Sequence, residues 1–145
     1  MRLLTFGAFD LCHLGHIRLL KRCARIANEV HVGLGTDDHV AEYKRAPVIS
    51  YDQRAATLQE LPWVTRVWPC SSHDALPIIE EVAPDLLAVG FDWYDRDYLG
   101  HIGATLDVLE ALDVGVVFFP REPSTSTTDI RKLAHSSVGG RDAAD

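Results

Sequence analysis

Cysteine is scarce in this 145-residue sequence: Cys12, Cys23 and Cys70, an odd number set far apart. That count excludes a paired disulfide framework and fits reduced thiols. No apolar run approaches the roughly 18 residues of a membrane span. The layout of a secretory leader is missing too, since Met1-Arg2 passes directly into apolar residues. A cytoplasmic location, with no membrane partner, is therefore expected. Basic residues are outnumbered, 14 Lys and Arg against 21 Asp and Glu, for a net charge of −7. The deficit argues against nucleic acid as a partner, because phosphate backbones require a dominant basic face. An anionic small substrate would need a local cluster of Lys and Arg inside an acidic molecule. Internal repeats and low-complexity linkers are absent as well.

What is present is an alternation of short apolar runs with amphipathic stretches. With 47% hydrophobic residues the chain is too apolar to remain disordered. Its length suits one domain, placed at 1–135, with 136–145 as a flexible tail. Strands are expected at 3–6, 30–34, 65–68, 86–89 and 114–119, the last a nearly continuous apolar run suited to burial on both faces. Helices are expected at 15–28, from Ser50 to near Pro62, at 76–82, at 102–112 and at 126–134. Ser50 with Gln53, and Ser126 with Asp129, have capping-box spacing. The alternation predicts an α/β fold, a Rossmann-like parallel five-stranded sheet with helices on both faces. Ligands of such sheets bind beyond the carboxyl ends of the strands, where strand order switches.

Two segments carry chemistry. The first, Gly7-Ala8-Phe9-Asp10-Leu11-Cys12-His13-Leu14-Gly15-His16, follows the first strand and enters a helix. A helix N-terminus presents unpaired N–H groups and a partial positive charge, so it attracts phosphate. His13 and His16 at that mouth suit charge stabilisation during phosphoryl or nucleotidyl transfer, which relies on positioning and electrostatics. On the residues alone the pair also reads as two unrelated surface histidines, or as half of a zinc site without its other ligands. Cys12 reads as a small buried residue rather than a nucleophile. The second segment, Arg121-Glu122-Pro123-Ser124-Thr125-Ser126-Thr127-Thr128-Asp129, follows the last strand and opens the last helix. It reads as a well-capped helix or as a second anion site, with hydroxyls, N–H groups and a charged clamp at Arg121.

These residues resemble the cytidylyltransferases of the HxGH nucleotidyltransferase superfamily. GAFDLCHLGH is similar to their first motif, GxFDxxHxGH, and STSTTDI to the end of their second, RTxGISTT. The likeness runs over about 3–133 and is greatest to the glycerol-3-phosphate cytidylyltransferases. It implies transfer of CMP from CTP to a small phosphorylated acceptor, with release of pyrophosphate. His13, His16, Lys44 and Arg121 would then be catalytic. The nucleotide would lie along Ala8, Phe9, Gly15, Arg45, Asp92, Trp93, Ser126, Thr127 and Thr128. The acceptor would meet Asp10, Lys44 and Arg54. The resemblance also implies Mg²⁺ held through the triphosphate rather than by protein ligands, and a homodimer.

The departures from the family pattern cluster. Ala8 stands where a small hydroxyl residue is usual. Pro62, His73 and Leu76 replace an Arg, a Trp and a Lys of the glycerol-phosphate enzymes, and Glu122 and Ser124 alter the second motif. The losses fall on groups expected to face the acceptor, which points to an acceptor other than glycerol 3-phosphate, a phosphonate or another polyol phosphate. HxGH alone also admits an adenylyltransferase of the FMN type, and Glu122 a catalytically silent nucleotide sensor.

Overall fold

The computed structural model describes residues 1–90, 93–120 and 127–142. Five strands form one parallel sheet: β1 (Arg2–Gly7), β2 (Glu29–Gly35), β3 (Arg66–Cys70), β4 (Leu86–Gly90) and β5 (Gly115–Phe119). Their spatial order is β3-β2-β1-β4-β5. The helices among the described residues are α1 (Leu14–Ile26), α2 (Asp37–Tyr43), α3 (Tyr51–Gln59), α4 (Leu76–Val82), α5 (Tyr98–His101), α6 (Leu106–Ala111) and α7 (Thr127–Asp142). Strand order reverses at β1, which pairs with β2 on one side and β4 on the other. The crevice beyond the ends of β1 and β4 is thus the expected ligand position.

Alternating side chains of the central strands feed two cores. Leu4, Leu87 and Val89 pack with Ile79, Val82, Tyr98, Ile102 and Leu109 from α4, α5, the turn after it and α6. Leu3, Val30, Val32, Leu34 and Ala88 pack on the opposite face with Leu20 and Cys23 of α1 and Leu58 of α3. Burying one such aliphatic side chain contributes about 1.5–3 kcal/mol. A helix cap contributes about 1 kcal/mol, so the packed faces hold the helices on the sheet. Caps decide where the helices begin. Ser50 Oγ accepts from the Gln53 N–H at the start of α3, and Thr105 Oγ1 from the Val108 N–H at the start of α6.

The expected helix over 102–112 starts late, at Leu106, and a separate short helix, α5, precedes it. Ile102 closes α5, Gly103 turns with φ +69°, and Thr105 starts α6. A Cβ on Gly103 would sit 2.8 Å from the His73 carbonyl oxygen, so the chain passes too close there for a side chain. The last strand is not buried on both faces. The topology makes β5 an edge strand, and Val116 to Phe119 are only half-buried. The stretch expected as a tail from residue 136 continues α7 through Asp142, since no proline interrupts it. Between β2 and α3 lies α2, a helix that the sequence reading did not place.

Candidate active site

The loop joining β1 to α1 is held in an unusual shape. Phe9 and Leu11 have positive φ, 48° and 53°. Such backbone persists only where neighbours over-determine it, and two buried charges do so. Asp10, 5% exposed, accepts from its neighbour's Leu11 N–H (3.1 Å), from the N–H groups of Val48 (2.8 Å) and Ile49 (3.0 Å), and from Arg131 Nη2 (2.9 Å). Burial works to raise its pKa, but these hydrogen bonds outweigh it and hold the carboxyl below its usual value. Arg54, 2% exposed, donates to the carbonyls of Ile49, Ala8 and Gly35 and to Asp37 Oδ1, at 2.7–2.9 Å.

Asp10 and Arg54 were expected at the acceptor, yet their polar atoms are spent on the protein's own backbone and on ion pairs. Arg54 shapes the loop from beneath, and Asp10 ties it to the 46–49 segment and to α7. Thr127 reinforces the second tie, its Oγ1 donating to the Asp10 carbonyl at 2.9 Å.

His13 and His16 lie at the start of α1, where the helix cannot satisfy its own N–H groups. His13 Nδ1 accepts from the Gly15 N–H at 3.1 Å, and His16 Nδ1 accepts from the His13 N–H at 3.2 Å. The rings stack, centroids 3.8 Å apart and 23° from parallel. This reciprocal cap occupies both Nδ1 lone pairs, so in the neutral rings the protons sit on Nε2. The Nε2–H of His16, which lines the cleft over this loop, is thereby turned away from the cap as a donor. Burial, then the neighbouring His13 and Lys44, push the His16 pKa down to about 3, against a smaller opposing pull from Asp10. His16 is therefore a neutral hydrogen-bond donor at neutral pH, which excludes it as a cationic clamp.

A cleft of about 500 Å³ opens over this loop. Phe9, His16, Lys44, Arg45, Trp93, Thr127 and Thr128 line it, together with Gly7 and Ala8 at the end of β1 and Gly90 at the end of β4. Asp10 is the one acidic residue among the described lining residues, and its oxygens are engaged. The local basic cluster required of an acidic molecule is thus present. Arg121, Asp92 and Ser126 lie outside the described residues.

Sequence reasoning missed one wall of the cleft. Arg131, Lys132 and His135 of α7 line it beside Thr127 and Thr128. The spacing 128, 131, 132, 135 places them on one helix face, which was legible as a periodic pattern. Arg131 Nη2 also reaches the Ala46 carbonyl at 3.1 Å, and its buried Nε has no hydrogen-bond partner.

A smaller cavity, about 70 Å³, adjoins the cleft and shares Lys44, Trp93 and Tyr98 with it. His39, Tyr43, His101 and Ser72 add an imidazole-rich and aromatic lining. Gly33 belongs to this wall. A Cβ there would meet the Phe6 ring at 2.2 Å, so glycine is what allows that ring to lie across β2. Burial, then His73, His39 and Lys44, lower the His101 pKa, which favours its neutral form.

The donor geometry, the cationic cleft and the topological switch point all suit a nucleoside triphosphate. Comparison with known proteins agrees. Residues 4–133 match the cytidylyltransferase-like family. The bifunctional protein HldE of Halorhodospira halophila is 36% identical over 129 residues, 88% of this chain but 26% of that protein. This chain thus spans about a quarter of the HldE relatives. The glycerol-3-phosphate cytidylyltransferase of Bacillus spizizenii is 29% identical over 132 residues, 90% of this chain and 95% of the relative. The FAD synthase of Methanobrevibacter ruminantium is 34% identical over 95 residues, 63% of each chain. No described helix is long and apolar enough to cross a membrane. A match of this extent, on a chain whose histidine pair caps the first helix of a parallel sheet, makes this chain a member of the cytidylyltransferase-like family.

Proposed function

We propose that the protein transfers CMP from CTP to a small phosphorylated acceptor, a glycerol-3-phosphate-like polyol phosphate or a phosphonate, and releases pyrophosphate. The observation that carries the reading is the histidine pair at the mouth of α1, with His16 lining a cationic cleft and its Nδ1 held by the His13 N–H. An acceptor oxygen attacks the α-phosphorus of CTP, the bond from that phosphorus to the bridging oxygen breaks, and pyrophosphate leaves with the electron pair. A phosphate or phosphonate oxygen is already anionic at neutral pH, so no general base is needed. The task of the protein is to hold the reactants in line and to stabilise charge on the equatorial oxygens. His16 serves that purpose as a neutral donor, with His13 stacked beside it at the same helix mouth. Lys44 bridges the cleft and the smaller cavity, and so stands between the nucleotide and acceptor sides. Thr127, Thr128, Arg131 and Lys132 face the leaving pyrophosphate, with Arg121 and Ser126 assigned there by resemblance. Ala8, Phe9, Gly15, Arg45, Asp92 and Trp93 take the nucleotide.

The donor set bears on Mg²⁺. The described cleft offers only Asp10 as a carboxylate, and that group is committed to Val48, Ile49 and Arg131. This supports an ion carried on phosphate oxygens and water, as Mg²⁺ commonly is. Bound in that way it would neutralise the charge of the triphosphate.

The smaller cavity, with His39, Tyr43 and His101, supports an acceptor pocket unlike that of the glycerol-phosphate enzymes. The FAD synthase relative keeps adenylyl transfer as the second reading, since FAD is the adenylyl conjugate of FMN. Both are tested by pyrophosphate release with Mg²⁺ and CTP, ATP, GTP or UTP against pooled small phosphates and phosphonates, with His16→Ala as control. Release with CTP that vanishes in the variant is expected. Release with ATP alone would replace cytidylyl by adenylyl transfer, and nucleotide binding without release by any nucleotide would favour a sensor. The homodimer belongs to the same proposal, and light scattering at twice the chain mass is its test.

A further inference from the structure

Outside the nucleotide cleft, the structure places two histidines and a glutamate together. His39 and Glu42 are one helical turn apart on α2, and His73 comes from the segment between β3 and α4. Their ligand atoms all lie within 4.8 Å of one another. The β2–β3 register explains the meeting, because Gly35 pairs with Cys70 and the chains leaving both strands start side by side.

Three details set this group apart from an ordinary polar cluster. First, the His39 side chain is 6% exposed, and its Nδ1 has no hydrogen-bond partner although it lies 3.5 Å from Glu42 Oε2. A buried nitrogen left in that state is costly. Second, His73 Nδ1 lies 3.2 Å from the His101 carbonyl oxygen. A carbonyl only accepts, so Nδ1 carries the proton and Nε2 holds a lone pair. That lone-pair nitrogen is 3.8 Å from the same Glu42 Oε2. Metal-binding histidines have this arrangement, with the remote nitrogen donating to a backbone carbonyl and fixing the ring. Third, the separations are close to those of ligands around a small cation. Bonds of about 2.0–2.2 Å in a tetrahedron put ligand atoms about 3.4 Å apart. Glu42 and His73 are about half exposed, so small rotations of these side chains close the difference.

We propose that His39, Glu42 and His73 bind a divalent transition-metal ion of the zinc class. Two imidazoles and one carboxylate form a donor set used by zinc, with a fourth position left for water or substrate. The ion would clamp α2 to the segment after β3, beside the cavity that His39 and His101 line. This site is independent of any triphosphate-borne Mg²⁺ and of the identity of the nucleotide.

The test uses the full, tag-free chain stripped with EDTA and titrated with Co²⁺ as a spectroscopic probe, followed by displacement with Zn²⁺. One Co²⁺ per chain with visible ligand-field absorption is expected, and Zn²⁺ should abolish the absorption. Glu42→Gln and His73→Ala should each weaken binding by about tenfold or more, while His13→Ala should leave it unchanged. Equal affinity in the unsubstituted protein and both ligand variants would overturn the site, as would loss confined to His13→Ala. NMR of the unsubstituted protein provides a check free of folding effects. The imidazole signals of His39 and His73 should shift together at one equivalent of Zn²⁺, and a shift confined to His13 and His16 would refute the proposal.

Discussion

The chemistry of single residues turns on where protons sit. His16 is neutral because burial, then the neighbouring His13 and Lys44, disfavour the charged ring, with a folded pKa of about 3. Its NMR ring signals should therefore show no titration between pH 8 and pH 5. The sign of the linkage follows. Above the unfolded value, about 6.5, the ring is neutral in both states. As pH falls from there toward 3, the unfolded chain takes up the proton first, and stability is lost. Urea midpoints of His16→Gln should consequently fall less between pH 7 and pH 4.5 than those of the unsubstituted protein. For catalysis, His16→Ala removes one preorganised donor. By analogy with other charge-stabilising donors, kcat should drop about 10²–10³-fold with a smaller change in KM, measured as pyrophosphate release. A drop confined to KM would mean that His16 binds substrate and transition state equally.

Elements meet at the first loop, and Arg54 joins them. Its guanidinium binds the carbonyls of Ala8, Gly35 and Ile49, taking in the ends of β1 and β2 and the entry to α3. Arg54→Ala strands those carbonyls and should cost about 3 kcal/mol or more, at about 1–3 kcal/mol for each buried group left unmade. Chemical denaturation measures it, and a loss below about 1 kcal/mol would show that water replaces the guanidinium. Arg54→Lys should recover only part, since an ammonium cannot reproduce the planar fork. The turn between α5 and α6 gives a second prediction. Gly103→Ala places a Cβ against the His73 carbonyl at a positive φ, and should lower stability by about 1–3 kcal/mol in a thermal melt.

For the molecule as a whole, the contrast lies between a net charge of −7 and a cationic cleft. Saturating CTP with Mg²⁺ should raise the melting temperature, because a ligand at a hundred times its Kd stabilises by about 2.7 kcal/mol. The rise should shrink with added salt, as charges exposed to solvent are screened. The double variant Arg131→Ala, Lys132→Ala should lose most of the shift. An undiminished shift would remove α7 from the phosphate site. The same experiment with ATP ranks the two nucleotides by affinity.

Much of this was legible in the chain itself. The parallel sheet, the helices on both faces and the placing of the GAFDLCHLGH loop follow from apolar periodicity and from the spacing of breakers, both local properties. The His13 and His16 motif was visible for the same reason, since its residues act within one turn of one helix. Other features required the assembled fold. Asp10 and Arg54 carry the charges expected of an acceptor site, but partners brought from 35–49 and from α7 turn them inward. Gly103 delays the start of a helix that apolar spacing begins at Ile102, because His73 passes against it. The last strand is an edge by topology, which its run of valine and phenylalanine does not disclose. His39, Glu42 and His73 converge only through the pairing of β2 with β3. Sequence by itself determined the strands, most of the helices and the local chemistry at their ends, whereas tertiary structure decided which charged groups face the ligand, because burial and long-range partners are set by distances that no stretch of sequence contains.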